Sequence, residues 1–153
     1  MPVVVETPHS LRDLVGLEIA TEEWFRLTQD HIQQFAEVTE DCQWIHVDRQ
    51  RAQRESPYGT TIAHGFLTLS LLSRFMSQAI QIQNGVRMCV NYGLNRVRFP
   101  SPLRADSRIR VRFTLRSLRE VAGAFEAIFD AIVETQGTDK PCCVAEWVVR
   151  YYS

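Results

Sequence analysis

Several features that would place this chain in a special class are absent from its 153 residues. Apolar runs are interrupted well before the roughly 18 residues that a membrane-spanning helix needs, so we expect no membrane span. Lys and Arg total 17 against 18 Asp and Glu, so the basic excess that drives general nucleic-acid binding is missing. The N-terminus lacks the basic and then apolar pattern of a signal peptide, and we therefore expect a cytoplasmic protein.

Cysteine motifs and nucleotide-binding motifs are also missing. Cys42, Cys89, Cys142 and Cys143 form no CxxC pair. We therefore expect reduced thiols, mostly packed as small core residues, and no metal site. The sequence contains no glycine-rich dinucleotide loop, no P-loop and no GxSxG elbow, which argues against nucleotide binding and serine-hydrolase chemistry.

The length of the chain fits one domain over residues 1–153, with residues 1–18 as a partly ordered lead-in. Residues 20–27 predict a short edge strand. Thr28 has the hydroxyl of a helix N-cap, and the apolar spacing that follows predicts a helix over 29–39.

Two contrasting segments follow. Residues 40–61 show no periodicity, and an irregular segment of this length is usually functional. Residues 65–82 are apolar around most of the helical circumference, which predicts a buried helix.

From residue 88 onward the apolar period changes to two. Residues 90–99, 108–116, 124–135 and 142–152 predict long antiparallel strands. The arginines that alternate through 108–116 are interpreted as a solvated face rather than a nucleic-acid surface. The fold class is therefore α+β, with a curved sheet wrapped around one helix, and a free sheet edge would favour a homodimer.

A few polar residues could carry chemistry. Asp41 and His46 lie five residues apart and could orient one water, although a turn cap and a packing histidine would look the same. Gly65 opens the buried helix, where a free amide could hold an oxyanion. His64 suits packing or hydrogen bonding, while Ser73 could bond a helical carbonyl or orient Asp41.

Together, the blocks DCQWIHVD and SPYGTTIAHGFLTLSLLS resemble the MaoC-like family of hydratases and dehydratases. The resemblance is greatest to the branches named for nodulation protein N and enoyl-CoA hydratase 2. The first block supplies Asp41, His46 and Asp48, and the second supplies Ala-His-Gly at 63–65. Family membership implies a hot-dog fold.

The resemblance also implies roles for the matched residues. Asp41 and His46 would activate a water, and the Gly65 N–H would stabilise the thioester oxygen as an enolate. Ser73 would orient Asp41. Such enzymes hydrate trans-2-enoyl-CoA to (R)-3-hydroxyacyl-CoA, usually as homodimers, with no metal or redox cofactor.

Substrate contacts are expected from Ala63, His64 and Phe66, which surround the helix start. The chain departs from the family pattern at Gln43 and Trp44, where many members have Asn-Pro. The large Trp44 ring is expected to form a wall of the acyl pocket. The carrier of the thioester is either coenzyme A or an acyl carrier protein, and Arg87, Arg96 and Arg98 could meet its phosphates or remain solvated.

Two alternatives remain open. A hot-dog thioesterase would share the fold and the carrier but release a free thiol. A non-catalytic subunit would bind acyl thioesters without converting them. The paired Asp41 and His46 favour the hydratase.

Overall fold

The structure, a computed structural model, describes residues 1–153 and consists of a six-stranded antiparallel sheet with helices packed against it. The strands are β1 Val3–Val5, β2 Glu18–Ala20, β3 Phe25–Arg26, β4 Ile80–Ile82, β5 Met88–Arg98, β6 Arg108–Val121, β7 Ala124–Thr135 and β8 Cys143–Tyr152. The α-helices are α1 Gln29–Thr39, α2 Trp44–Val47, α3 Arg49–Glu55, α4 Gly65–Ser70 and α5 Leu72–Ala79. The sheet order is β2-β6-β7-β8-β5, with β3 also paired to β6.

Strand β6 shows why the sheet forms. Its alternate residues Ile109, Val111, Phe113 and Leu115 are all fully buried and contribute to the core. The intervening arginines lie on the opposite face and pair with carboxylates of neighbouring strands, as Arg110 does with Glu134 at 2.8 Å. The predicted alternation is confirmed, and the arginine face is a layer of ion pairs across the sheet.

Helix α1 matches its predicted bounds. The Thr28 hydroxyl accepts a hydrogen bond from the His31 N–H, and the His31 ring accepts one from the Thr28 N–H. This reciprocal cap satisfies two backbone donors at the helix start. The helix ends at Thr39, and the next residue, Glu40, caps it with a left-handed backbone at φ of 60°.

The predicted helix over 65–82 is wrong in its extent and in its burial. It is divided at Leu71, whose N–H is shared between the carbonyls of Leu67 and Thr68. The last three residues leave the helix and form β4, which pairs in parallel with β1. One side of the helix faces solvent, since Phe66 is 70 % exposed.

Other boundaries also differ from expectation. The edge strand predicted over 20–27 is two short strands, β2 and β3, each of which pairs with β6 over only two or three residues. The irregular segment 40–61 contains α2 and α3. The lead-in is ordered, because Leu11 of a 3₁₀-helix over Pro8–Leu14 is fully buried in the core.

The cysteines divide equally between core and surface. Cys142 and Cys143 are buried, whereas Cys42 and Cys89 are exposed, so core packing accounts for two of the four. None of the helices is long and apolar enough to cross a membrane.

Candidate active site

The site is built on the segment between α1 and α4. Asp41 follows the left-handed turn that ends α1, and His46 lies on the single-turn helix α2. Asp48 accepts a hydrogen bond from the Arg51 N–H at 2.9 Å and caps α3. Asp48 therefore has a structural role that holds the end of the His46 turn.

His46 is fixed in one tautomer by its surroundings. Its Nδ1 lies 2.7 Å from the Ile62 carbonyl oxygen, which can only accept, so Nδ1 carries the proton. The Nε2 of the neutral ring is left with a lone pair and can act as a base. Burial lowers the pKa of His46, with a further lowering by His64, against opposing effects of the Ile62 carbonyl and Asp41. The ring is thus neutral at physiological pH.

His64 connects the two residues of the predicted dyad. Its ring stacks on the His46 ring with centroids 3.8 Å apart. Its Nε2 lies 2.9 Å from the Asp41 carbonyl oxygen and 4.0 Å from the Asp41 carboxylate. One polar atom from each of the three side chains lies within 4.8 Å of the other two, so the structure brings the predicted pair together.

Gly65 opens α4 directly after His64, and its N–H donates to no backbone carbonyl. The Phe99 ring lies against its α-carbon so closely that a Cβ built on Gly65 would be 3.1 Å from three ring atoms. Gly65 and His46 both line a cavity of about 350 Å³. Other residues of its lining are Tyr58, Ala63, Thr68, Phe99, Leu103 and Cys142.

Gln29 supports this site and was missed by sequence reasoning. Its Nε2 donates to the His46 carbonyl at 2.8 Å, and its Oε1 accepts from the Thr61 hydroxyl. One amide therefore fixes α2 to the segment that leads into Gly65. Glutamine at the first position of a helix belongs to no recognisable motif, so no sequence signal indicated this role.

Three predicted site residues lie elsewhere. The Ser73 hydroxyl accepts a hydrogen bond from Asn91 at 3.5 Å and is not brought to Asp41. The Trp44 ring carries the Arg51 guanidinium 4.4 Å above it and is absent from the cavity lining. Phe66 is exposed and meets the Phe99 ring edge to face. Of the predicted substrate contacts, Ala63 lines the cavity.

The group Asp41, His46 and His64 has the residue types of a divalent-metal site. Its geometry suits a metal poorly, because the two rings are nearly parallel, with an interplanar angle of 22°. Lone pairs in stacked planes run side by side and do not converge on one ion. His64 Nε2 also carries a proton towards Asp41, so that nitrogen is not free to ligate.

Comparison with known proteins shows the family to which the chain belongs. The model of the MaoC-like domain family matches residues 11–136. The 3-hydroxyacyl-thioester dehydratase Z of Mycobacterium tuberculosis is 43 % identical over 151 residues, covering 96 % of this chain and 99 % of that protein. Nodulation protein N of Rhizobium meliloti is 43 % identical over 136 residues, covering 88 % and 84 %.

Solved structures agree with the fold. An unliganded (R)-hydratase of Pseudomonas aeruginosa matches with a TM-score of 0.75 at 20 % identity, over 96 % of this chain and 86 % of that one. The fold is therefore the α+β hot-dog fold. The chain belongs to the MaoC-like family, and it is an enzyme of the hydratase and dehydratase class of lyases.

Proposed function

We propose that the enzyme reversibly hydrates a trans-2-enoyl thioester to an (R)-3-hydroxyacyl thioester. The observation that carries the proposal is the shared cavity of His46 and Gly65, with the Asp41 carboxylate close to the His46 ring. A base, a water-orienting carboxylate and a free amide are the three groups this reaction uses. The name of the mycobacterial relative supports the reaction class.

In the hydration direction, Asp41 and His46 Nε2 hold one water. His46 accepts a proton as the water oxygen bonds to C3 of the enoyl group, and the π electrons move through C2 onto the thioester oxygen. The Gly65 N–H donates to that oxygen and stabilises the enolate. His46 then returns its proton to C2, so the two hydrogens of the water finish on C2 and on the new hydroxyl.

The proposed substrate carries its acyl group on coenzyme A or on an acyl carrier protein. Hydration leaves the oxidation level of the substrate unchanged, and the steps above require no redox cofactor or metal. The four free cysteines suit a reducing compartment, and we place the reaction in the cytoplasm.

The first experiment mixes the purified protein with crotonyl-CoA and follows the enoyl-thioester absorbance beside a free-thiol assay. We expect the absorbance to fall without thiol release, and His46→Ala to abolish the change. Thiol release would indicate a thioesterase instead. Binding of crotonyl-CoA and of longer enoyl-CoA chains with neither change would indicate a non-catalytic binding subunit.

We also propose that the enzyme is a homodimer joined through β5. This strand is at the edge of the sheet, so one row of its backbone N–H and C=O groups is unpaired. Large apolar side chains remain exposed along it, namely Met88, Val90, Tyr92 and Leu94, with Phe99 just beyond. A two-fold pairing of β5 with its copy would cover both the edge and these side chains.

A further inference from the structure

His64 occupies the centre of the site although the proposed chemistry gives it no step. Its ring is 4 % exposed, and its centroid lies 4.9 Å from that of Phe35 and 3.8 Å from that of His46. Its Nε2 reaches the Asp41 carbonyl at 2.9 Å. The next residue in the chain is Gly65, so His64 contacts Asp41 and His46 through its ring and adjoins Gly65 through the backbone.

The hydrogen bonds define the state of the His64 ring. The Asp41 carbonyl can only accept, so Nε2 carries the proton and donates it. The Nδ1 is buried and has no hydrogen-bond partner. The ring therefore makes its one hydrogen bond through Nε2, to Asp41, and makes none through Nδ1.

The contacts of His64 complement those that already hold the dyad. The hydrogen bond to the Ile62 carbonyl sets the direction in which His46 Nδ1 points. It does not prevent the ring from rotating about the line of that hydrogen bond. The stacked His64 ring restrains that rotation. The Asp41 side chain is 45 % exposed, and its position depends on its backbone, whose carbonyl accepts a hydrogen bond from His64 Nε2–H.

We propose that His64 is a positioning residue, which aligns the Asp41 carboxylate and His46 Nε2 on a single water and does not itself touch the substrate. This inference rests on the proposed hydratase function. It replaces the expectation that His64 contributes a substrate contact, because the ring is 4 % exposed, contacts the Phe35 and His46 rings, and directs its Nε2 to Asp41.

Two substitutions separate the contacts. His64→Phe keeps a flat ring beside Phe35 and His46 but removes the donor to Asp41. His64→Gln keeps an amide N–H near the position of Nε2 but removes the stacking. Misplacement of a reacting group by about 1 Å can reduce a rate about a hundredfold. We expect kcat to fall at least about tenfold in His64→Phe, with KM changed less than about twofold, and His64→Gln to retain more activity.

The pH profile and NMR supply readouts that a purely structural role would not change. His64 contributes to the lowered pKa of His46, so the acid limb of kcat/KM should move to higher pH in both variants. Long-range ¹H–¹⁵N spectra of the wild-type protein should show the proton on Nε2 of His64 and on Nδ1 of His46. These spectra need no substrate and test the geometry directly.

His9→Phe is the matched control, because His9 is an exposed histidine whose ring contacts Phe125 outside the site. It should leave kcat and the acid limb unchanged. If His64→Phe and His64→Gln both keep wild-type kcat and an unchanged acid limb while His46→Ala is inactive, the positioning role is wrong and the proposed function stands. If the wild-type enzyme hydrates no enoyl thioester, the proposed function fails, and a proton on Nδ1 of His64 would also reject the positioning role.

Discussion

The Asp41 carboxylate is one of the two groups that hold the water in the proposed mechanism. Its side chain is 45 % exposed and adjoins both histidine rings. Asp41→Asn keeps the shape but replaces one water-binding oxygen with a donor, so kcat should fall by about a hundredfold or more. Steady-state hydration of crotonyl-CoA measures this, and near-normal turnover would remove Asp41 from the mechanism.

Two features favour glycine at position 65. The Phe99 ring lies too close for a side chain, and the proposed oxyanion binds the Gly65 N–H. A methyl group there would lie 3.1 Å from three ring atoms, so the ring or the α4 start must shift. Removal of one oxyanion donor reduces kcat by about a hundredfold or more, and a partial displacement in Gly65→Ala should reduce it about tenfold. Kinetics of Gly65→Ala in the wild-type and Phe99→Leu backgrounds measure the effect. The loss should be smaller beside Phe99→Leu, and equal losses in the two backgrounds would show that the Phe99 contact is unimportant.

The predicted site residues that the structure brings together are those whose chemical type and local spacing both carry a signal. Asp41, His46 and Gly65 belong to two short motifs and lie together in the structure. Gln29 and Phe99 were missed, because they act on residues that are distant in sequence. Gln29 reaches a carbonyl 17 positions away and a hydroxyl 32 positions away. Ser73 has the expected spacing, yet its hydroxyl meets Asn91.

At the scale of elements, the cap of α1 sets the start of the helix that leads into Asp41. Thr28→Ala removes the hydroxyl that accepts from the His31 N–H. Loss of such a cap lowers stability by about 1 kcal/mol. We expect the free energy of unfolding to fall by that amount in urea titrations, and Thr28→Ser to restore it. Equal stability of all three proteins would show that the cap is unimportant.

Elements with a strong internal period were predictable, and elements that depend on distant partners were not. Strand β6 is recognisable from its alternation alone, and α1 from its cap and apolar face. The central helix ends where Ile80–Ile82 pair with Val3–Val5, which lie near the N-terminus and are distant in sequence. The sequence of residues 65–82 alone gives no indication of that pairing.

At the scale of the whole molecule, the proposed dimer predicts that a charge introduced on the β5 edge weakens dimerisation. Leu94→Lys places a charge on the exposed apolar face of β5, where Leu94 is 42 % exposed, and should shift the 17.7 kDa chain from dimer to monomer. Sedimentation velocity measures the shift. Val4→Lys is the control, since Val4 is 51 % exposed on β1, outside the β5 edge. A monomeric wild-type protein would contradict the proposed dimer.

Acid should weaken the sheet through Glu126, which is 4 % exposed and paired with Arg119 and Arg150 at 2.7 and 2.8 Å. Burial alone would raise the pKa of Glu126, but the hydrogen bonds from Arg150 and Arg119 outweigh it and the pKa is lowered. The ionised carboxylate therefore stabilises the fold above the ordinary glutamate pKa of about 4.3, and this contribution is lost as the pH falls. Urea titrations at several pH values should show that acid lowers the free energy of unfolding less in Glu126→Gln than in the wild-type protein. Parallel pH dependences for the two proteins would contradict this prediction.

The sheet order has a consequence for how the enzyme is made. Strand β2 pairs with β6, and just after β2 the Thr21 N–H donates to the Val111 carbonyl, which is 90 positions further along the chain. Contacts of this range slow folding. The Ala63 N–H likewise needs the Leu103 carbonyl. A growing chain on the ribosome can hold every proposed catalytic residue and still lack the strands that place them, so activity arises only after the second half of the chain has been synthesised.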